Sequence, residues 1–489
     1  MNKPIRNLAV ACLVLFAALL INVNYVQFVE AGDLNARQGN KRVIDADFSR
    51  DRGAILVGDE PVAESKPSKD QYKFQRVYPQ STLYAPLTGY FSYIYGSANL
   101  ERSQNQVLSG SDNRLFVSRV VDLLANKKPQ GGSVELTINP RAQKVAASGL
   151  EALGEGTKGA VAALDPKTGA VLAMVSQPSY DPNVLASHNF SKVTEAMKRL
   201  QANEDDPLTN RATQQILPPG STFKLVTAAA ALEDLNLKAD SRVKGGASLS
   251  FPGIQYTLPN ENGGNCGGDP ITFEQALQVS CNVSFGDLAG KIGQDKLEEQ
   301  ARKFGFGTDP LEGLASSASQ FTAEGTDLEA PQLAQSGIGQ FEVAATPLQM
   351  AMVGAGIAND GVVMKPQVVK SVRSPSLRVL DSLEPEELDR AMSADNAAIL
   401  RSMMVATVQS GTATSAQIPG VQVGAKTGTA QSTPDRPPYA WFVALAPAND
   451  PKVAVAVVVE SSSTARNEIA GGRLAGPIAR SVIEAVLGE

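Results

Sequence analysis

Two apolar strands early in the chain and three strands near its end constrain what it can fold into. Residues 160–164 and 170–175 read as strands joined by Asp165-Pro166-Lys167-Thr168-Gly169, a Pro/Gly hairpin turn. Strands follow near the end, at 421–429, 441–446 and 453–460. The stretch between is rich in helical patterns, at 221–235, 273–292, 296–304, 346–358 and 394–409, and a final helix is expected over 474–487. Strand pair, helical block, three strands and helix make an α+β order in which both ends feed one sheet. Ahead of this lies a polar, irregular stretch from 31 to 132, then a strand at 134–138 and a helix at 140–153. At 489 residues, two or three domains are expected. The divisions fall at 1–30, 31–150 and 151–489.

Lys3 and Arg6 precede an apolar run from Leu8 to Ile21, which continues more weakly to Val29. The strict run is shorter than the ~20 residues usual for a membrane span, and the extension makes up the length. Positive residues before it and Glu30 and Asp33 after it place the N-terminus in the cytoplasm. The segment is either an uncleaved signal anchor or a signal peptide cleaved near Val29-Glu30-Ala31. Both readings put the rest of the chain outside the membrane.

Composition narrows the chemistry. There is one histidine, His188, and there are three cysteines, Cys12, Cys266 and Cys281. No histidine-cluster metal site can be built, the cysteines are too few for a Cys-rich zinc site, and no cofactor is called for. A net charge of −6 argues against nucleic-acid binding through phosphates. A hydrolase or transferase of this composition needs a base other than histidine. Ser221-Thr222-Phe223-Lys224 supplies one. It opens a predicted helix after Pro218-Pro219-Gly220, and positions i and i+3 share a helix face. The helix N-terminus favours an alkoxide and a developing oxyanion. A buried lysine beside another cation can serve as a base.

Short motifs recur by chance. Ser241-Arg242-Val243-Lys244 has the same spacing but no helix after it, Ser111-Asp112-Asn113 lies far upstream, and Lys167-Thr168-Gly169 sits in the hairpin turn. Order and context separate the working set from these decoys. Ser221 to Lys224 is followed by Ser280-Cys281-Asn282 in the helical block and by Lys426-Thr427-Gly428-Thr429 on a late strand. Serine acyltransferases and β-lactamases use such a trio.

These motifs, with Met174 to Asn183, Asn210 to Lys224 and Thr346 to Met350, resemble the class B penicillin-binding proteins. Arg52-Gly53-Ala54-Ile55 and Gly96 to Glu101 resemble that family's non-catalytic domain. The resemblance implies a penicillin-binding transpeptidase or serine β-lactamase-like fold: an antiparallel sheet flanked by helices, an all-helical lobe, a smaller dimerisation or pedestal-like domain, and a membrane anchor. It implies that Ser221 attacks the penultimate D-Ala carbonyl of a peptidoglycan stem peptide while Lys224 takes its proton. Ser280 then relays a proton to the leaving amine, and Asn282 bonds Lys224 and the substrate amide. Lys426 and Thr427 hold the terminal carboxylate, and the N–H groups of Ser221 and Thr429 form the oxyanion hole. A neighbouring stem peptide completes the cross-link, and β-lactams acylate the same serine. A separate membrane glycan polymerase is the implied partner, because about 120 residues are short for a glycosyltransferase domain. The competing functions are a β-lactamase-like hydrolase and a penicillin-binding scaffold or sensor.

Other residues have plainer readings. Cys281 stands where the family often has Asp. It either pairs with Cys266, in a glycine-flanked loop 15 residues upstream, or both remain thiols. His188 is expected on a surface loop, and Trp441 in packing beside the Lys426 strand. Tyr84, Tyr90, Phe91, Tyr93 and Tyr95 are expected in the core of the small domain, the alternative being a partner surface.

Overall fold

The computed structural model describes residues 3–30, 45, 47–115, 130–323, 325–431 and 436–488. Its central sheet has five strands in the order Gly424–Ala430, Tyr439–Ala446, Val453–Ser461, Lys158–Leu164, Val171–Gln177. Every neighbouring pair is antiparallel. The three late strands and the early hairpin therefore meet in one sheet, as the apolar runs require. Successive residues on a strand face opposite sides. Val161, Phe442 and Val455 join a core under the helices Pro140–Glu151 and Gly471–Leu487. Ala162, Trp441 and Ala456 face the other core, under the helix Pro347–Ala358. Both faces are covered, so these strands read as continuous apolar runs rather than alternating ones.

The helical block departs from expectation at one point that matters. The helix expected over 273–292 is two helices, Phe273–Gln278 and Asn282–Ile292. Cys281 N–H closes the first by donating to Ala276 O at 2.8 Å, and Ser280 adopts φ +59°. The side chain of Asn260 then accepts from Val283 N–H at 3.1 Å, capping the second helix from another segment. Apolar residues continue on both sides of the break, at Ala276, Leu277, Val283 and Phe285. The periodicity therefore gave no sign of it.

The stretch from 31 to 132 is more ordered than expected. Its described part holds the strands Ile55–Val57, Glu60–Pro67 and Phe74–Val77 and the helix Ser81–Thr88. Residues 31–44, 46 and 116–129, and with them Ala31 of the candidate cleavage site, lie outside the described residues. The three strands belong to a six-stranded sheet with Ser133–Leu136, Val369–Arg373 and Val379–Ser382. Two of its strands come from the far half of the chain. Glu135, 4% exposed at its side chain, ties in Val369–Arg373 through Lys370, Ser371 and Arg373, and Val379–Ser382 pairs with that strand in turn. The centre of this region is an ion cluster. Glu101 is fully buried and accepts from Arg52 Nε at 2.7 Å, Arg76 Nε at 2.6 Å and Tyr78 Oη at 3.1 Å.

Tyr84 and Phe91 are buried, in keeping with a core role. His188 is not a free loop residue. Its ring packs on Phe48 and Tyr72 and pairs with Asp70, because the 68–73 turn folds back over it. The N-terminal helix Lys3–Asn24 has 22 residues and no buried ones. At 1.5 Å per residue it is about 33 Å long, enough to cross a hydrocarbon core.

Candidate active site

The nucleophile segment is built by close backbone approach. Gly220–Thr222 forms a short 3₁₀ turn that leads into the helix Lys224–Asp234. Gly220 has φ +53°, a conformation that side chains other than glycine rarely adopt. The strand Gly424–Ala430 runs against this turn. A Cβ on Gly428 would lie 2.9 Å from Pro219 O, so only glycine lets the strand come this close. Ser221 is thereby set in the wall of a cavity of about 850 Å³, together with Asn282 and Thr429.

Behind Ser221 the three motifs share one hydrogen-bonded network. Lys224 Nζ donates to Ser280 O at 2.7 Å, Asn282 Oδ1 at 2.7 Å and Ser280 Oγ at 3.2 Å. Lys426 Nζ donates to Ser280 Oγ at 2.8 Å and to Thr427 O at 3.0 Å. Thr427 Oγ1 bonds Thr412 Oγ1 at 2.8 Å. Ser280 Oγ thus lies between the two amines. The left-handed backbone at Ser280 turns both its carbonyl and its hydroxyl to Lys224, which an unbroken helix would not allow.

Burial sets the charge states. Lys224 and Lys426 are both fully buried. Desolvation, and then the nearby Lys426 cation, push the Lys224 amine well below the usual lysine range. Burial likewise lowers Lys426, to about 7. The site therefore holds two buried lysines, both pushed below the usual lysine range.

Cys266 and Cys281 are joined by a disulfide in the structure. With Asn260, which donates to Gly246 O and Gly264 O at 2.7 Å each, it ties the 260–266 loop to the segment carrying Ser280 and Asn282. Closing a loop of this length contributes about 3 kcal/mol. Replacing both cysteines by serine is expected to lower stability by that order and to slow acylation of Ser221. Thermal melts and a fluorescent penicillin give the two readings, and unchanged values for both would mean that the bond braces nothing.

The decoy motifs sit elsewhere. Lys167 pairs with Asp450 at the hairpin turn, Asp112 pairs with Arg114, and Arg242–Val243 is a short strand paired with Ile271–Thr272. Trp441 is fully buried in the sheet. Several residues of the cavity wall escaped notice in the sequence, among them Tyr256, Gln335, Arg466 and Glu261, the last a carboxylate. Only the position of Glu261 just beyond Leu258-Pro259-Asn260, ahead of a glycine-rich loop, could have hinted at it.

The comparisons agree with this geometry. Residues 159–484 match the penicillin binding protein transpeptidase domain, and residues 52–134 match the penicillin binding protein A dimerisation domain. The chain is 42% identical to the peptidoglycan D,D-transpeptidase PbpA of Mycolicibacterium smegmatis, with all of both chains covered. It is 41% identical to PbpA of Mycobacterium tuberculosis, over all of this chain and 99% of the other. Among solved structures, the ceftriaxone acyl-enzyme complex of penicillin-binding protein A from M. tuberculosis superposes with a TM-score of 0.86 at 40% identity. That match covers 91% of this chain and all of the other. The penicillin G acyl-enzyme complex superposes with a TM-score of 0.83 at 42% identity, over 90% of this chain and all of the other. A five-stranded sheet, a serine at a helix start, a lysine pair bridged by Ser280 and a full-length likeness to such relatives lead to one assignment: the chain belongs to the penicillin-binding protein transpeptidase family.

Proposed function

We propose that the protein is a peptidoglycan D,D-transpeptidase that cross-links stem peptides through an acyl-enzyme on Ser221 and is inhibited by β-lactams. The observation that carries this reading is the network in which Ser280 Oγ lies between Lys224 and Lys426 behind the Ser221 wall. Neutral Lys224 takes the proton of Ser221 as its oxygen attacks the penultimate D-Ala carbonyl. Backbone N–H groups of Ser221 and Thr429 receive the oxyanion. Ser280 carries the proton from Lys224 to the departing D-Ala amine. Lys426 and Thr427 hold the terminal carboxylate, and Asn282 orients Lys224 and the substrate amide. An acceptor amine then attacks the ester and regenerates Ser221.

The N-terminal helix serves as a single-pass anchor with a cytoplasmic N-terminus, and the catalytic domain works outside the membrane. A disulfide suits that compartment. The chain divides into the anchor (1–30), a non-catalytic domain (31–150) and the transpeptidase domain (151–489). A membrane glycan polymerase supplies the strands that it cross-links.

Mass spectrometry after penicillin treatment is expected to find one adduct, on Ser221, persisting for many minutes. D-Ala release from a stem peptide should accompany it. Rapid turnover of the drug would instead identify a β-lactamase-like hydrolase.

A further inference from the structure

Glu261 is the carboxylate in the cavity wall that none of the three motifs accounts for. Its side chain is exposed and has no hydrogen bond or ion pair among the described residues. The backbone beneath it is firmly held. Asn282 Nδ2 donates to Pro259 O at 3.0 Å, Asn260 is pinned by its amide, and the Cys266–Cys281 bond closes the loop. The neighbouring backbone is thus held at the rim of the cleft, and the exposed Glu261 side chain lines the cavity beside it.

Its sign is wrong for the first substrate. A donor peptide brings its own carboxylate, which the Glu261 charge repels and which Arg466, a cation lining the same cavity, suits better. The second substrate has the opposite charge, because the side-chain amine of a diamino residue arrives as an ammonium. By then the donor's terminal carboxylate has left with D-Ala. The Glu261 charge also reaches Lys224 and Lys426 and favours their protonated forms. A merely tuning role is therefore the competing account.

We propose that Glu261 is a specificity-determining residue for the acceptor, its carboxylate pairing with the ammonium of the second stem peptide as that group enters the cleft. This rests on the transpeptidase reading above. The test uses the full-length protein in detergent, acylated by a D-Ala-D-Ala-ended peptide. Two kinds of acceptor compete with water for the acyl group: amidated stem peptides carrying lysine or diaminopimelate, and hydroxylamine, which is uncharged at the assay pH. Products are counted by mass spectrometry.

Glu261→Gln is expected to raise the KM for the cationic acceptors about threefold to tenfold. The KM for hydroxylamine should move less than twofold. Glu261→Asp should fall between wild type and Gln, and added salt should raise the wild-type KM for the cationic acceptors only. A similar change for both kinds of acceptor would assign Glu261 to tuning the lysines, and no change for either would remove it from acceptor binding. Loss of hydrolysis alone would make it a water-activating base. Each of these three results overturns the proposal while leaving the transpeptidase reading standing. A wild-type acyl-enzyme that transfers to none of the acceptors and only hydrolyses would overturn both.

Discussion

Replacing Lys224 by methionine is expected to slow acylation of Ser221 by a fluorescent penicillin about a thousandfold. Methionine keeps an unbranched stem and removes only the basic nitrogen. The position tolerates an apolar group, since it is fully buried and Nζ lies 5.6 Å from the Phe285 ring centroid. What is lost is the amine that burial and the Lys426 cation together push well below the ordinary lysine range. Lys426 cannot replace it, because its nitrogen is bound to Ser280 Oγ and Thr427 O. A variant that melts like wild type yet acylates within tenfold of its rate would remove Lys224 from the proton path.

The same two amines fix the pH profile. Acylation by a carboxylate-ended donor needs Lys224 neutral and Lys426 charged. The value of kcat/KM should fall on the acid side as Lys224 gains its proton, and on the alkaline side above about 7 as Lys426 loses its own. A donor with an esterified C-terminus should lack the alkaline limb. Stability should run the other way. Both lysines have folded values below their unfolded ones, so the unfolded chain binds more protons from pH ~7 up to ~10.4, and stability rises over that window.

The motif residues were legible because their chemistry is written in residue type and order. Ser221, Lys224, Ser280, Asn282 and Lys426 are polar groups set in apolar surroundings, which a sequence displays directly. Four of the five central strands were legible for a related reason, being apolar on both faces, and the fifth, Gly424–Ala430, was legible through its Lys426 motif. What escaped notice depended on long-range partners. The break at Ser280 is imposed by Asn260 and the disulfide, and the apolar pattern runs straight across it. The strand Val369–Arg373 is short and carries Lys370 and Arg373, whose countercharge, Glu135, lies far away in the sequence, so nothing local marked it as a strand of the N-terminal sheet. Glu261 carries no local signal because its significance lies in facing the cavity that holds Ser221, a distant residue in the chain. His188 lies in a loop as expected, but its packing on Phe48 and Tyr72 escaped notice for the same reason, since both lie far upstream.

Replacing Glu101 by leucine is expected to destabilise the N-terminal region by about 3–5 kcal/mol, because it strands two buried guanidinium groups. Arg52 and Arg76 are each 3% exposed. The remaining donors of Arg52 go to Glu101 O and Asn105 Oδ1 at 2.7 Å each. Arg76 Nη1 donates to Gly53 O at 2.8 Å and Arg52 O at 3.2 Å, and buried Arg76 Nη2 has no partner among the described residues. These carbonyls do not satisfy the charge of either guanidinium. Only the Glu101 carboxylate does that, and the Phe91 ring 4.3 Å from Arg52 adds a weaker attraction. Burial alone would raise the Glu101 carboxyl, but Arg76 and Arg52 outweigh it and hold it below the ordinary carboxylate range. Its contribution is therefore complete above the unfolded value of about 4.3 and is lost as pH falls through the lower folded one. Hydrogen exchange at Ile55–Val57 and Ser133–Leu136 should report the loosening, while acylation of Ser221 keeps its rate at low temperature. A triple variant with Arg52→Met, Arg76→Met and Glu101→Leu should recover much of the loss, since apolar packing can replace a buried triad but not a broken one. If the single leucine variant costs under 1 kcal/mol, or the triple variant is worse than the single one, the cluster is held by its carbonyl contacts rather than by its charges.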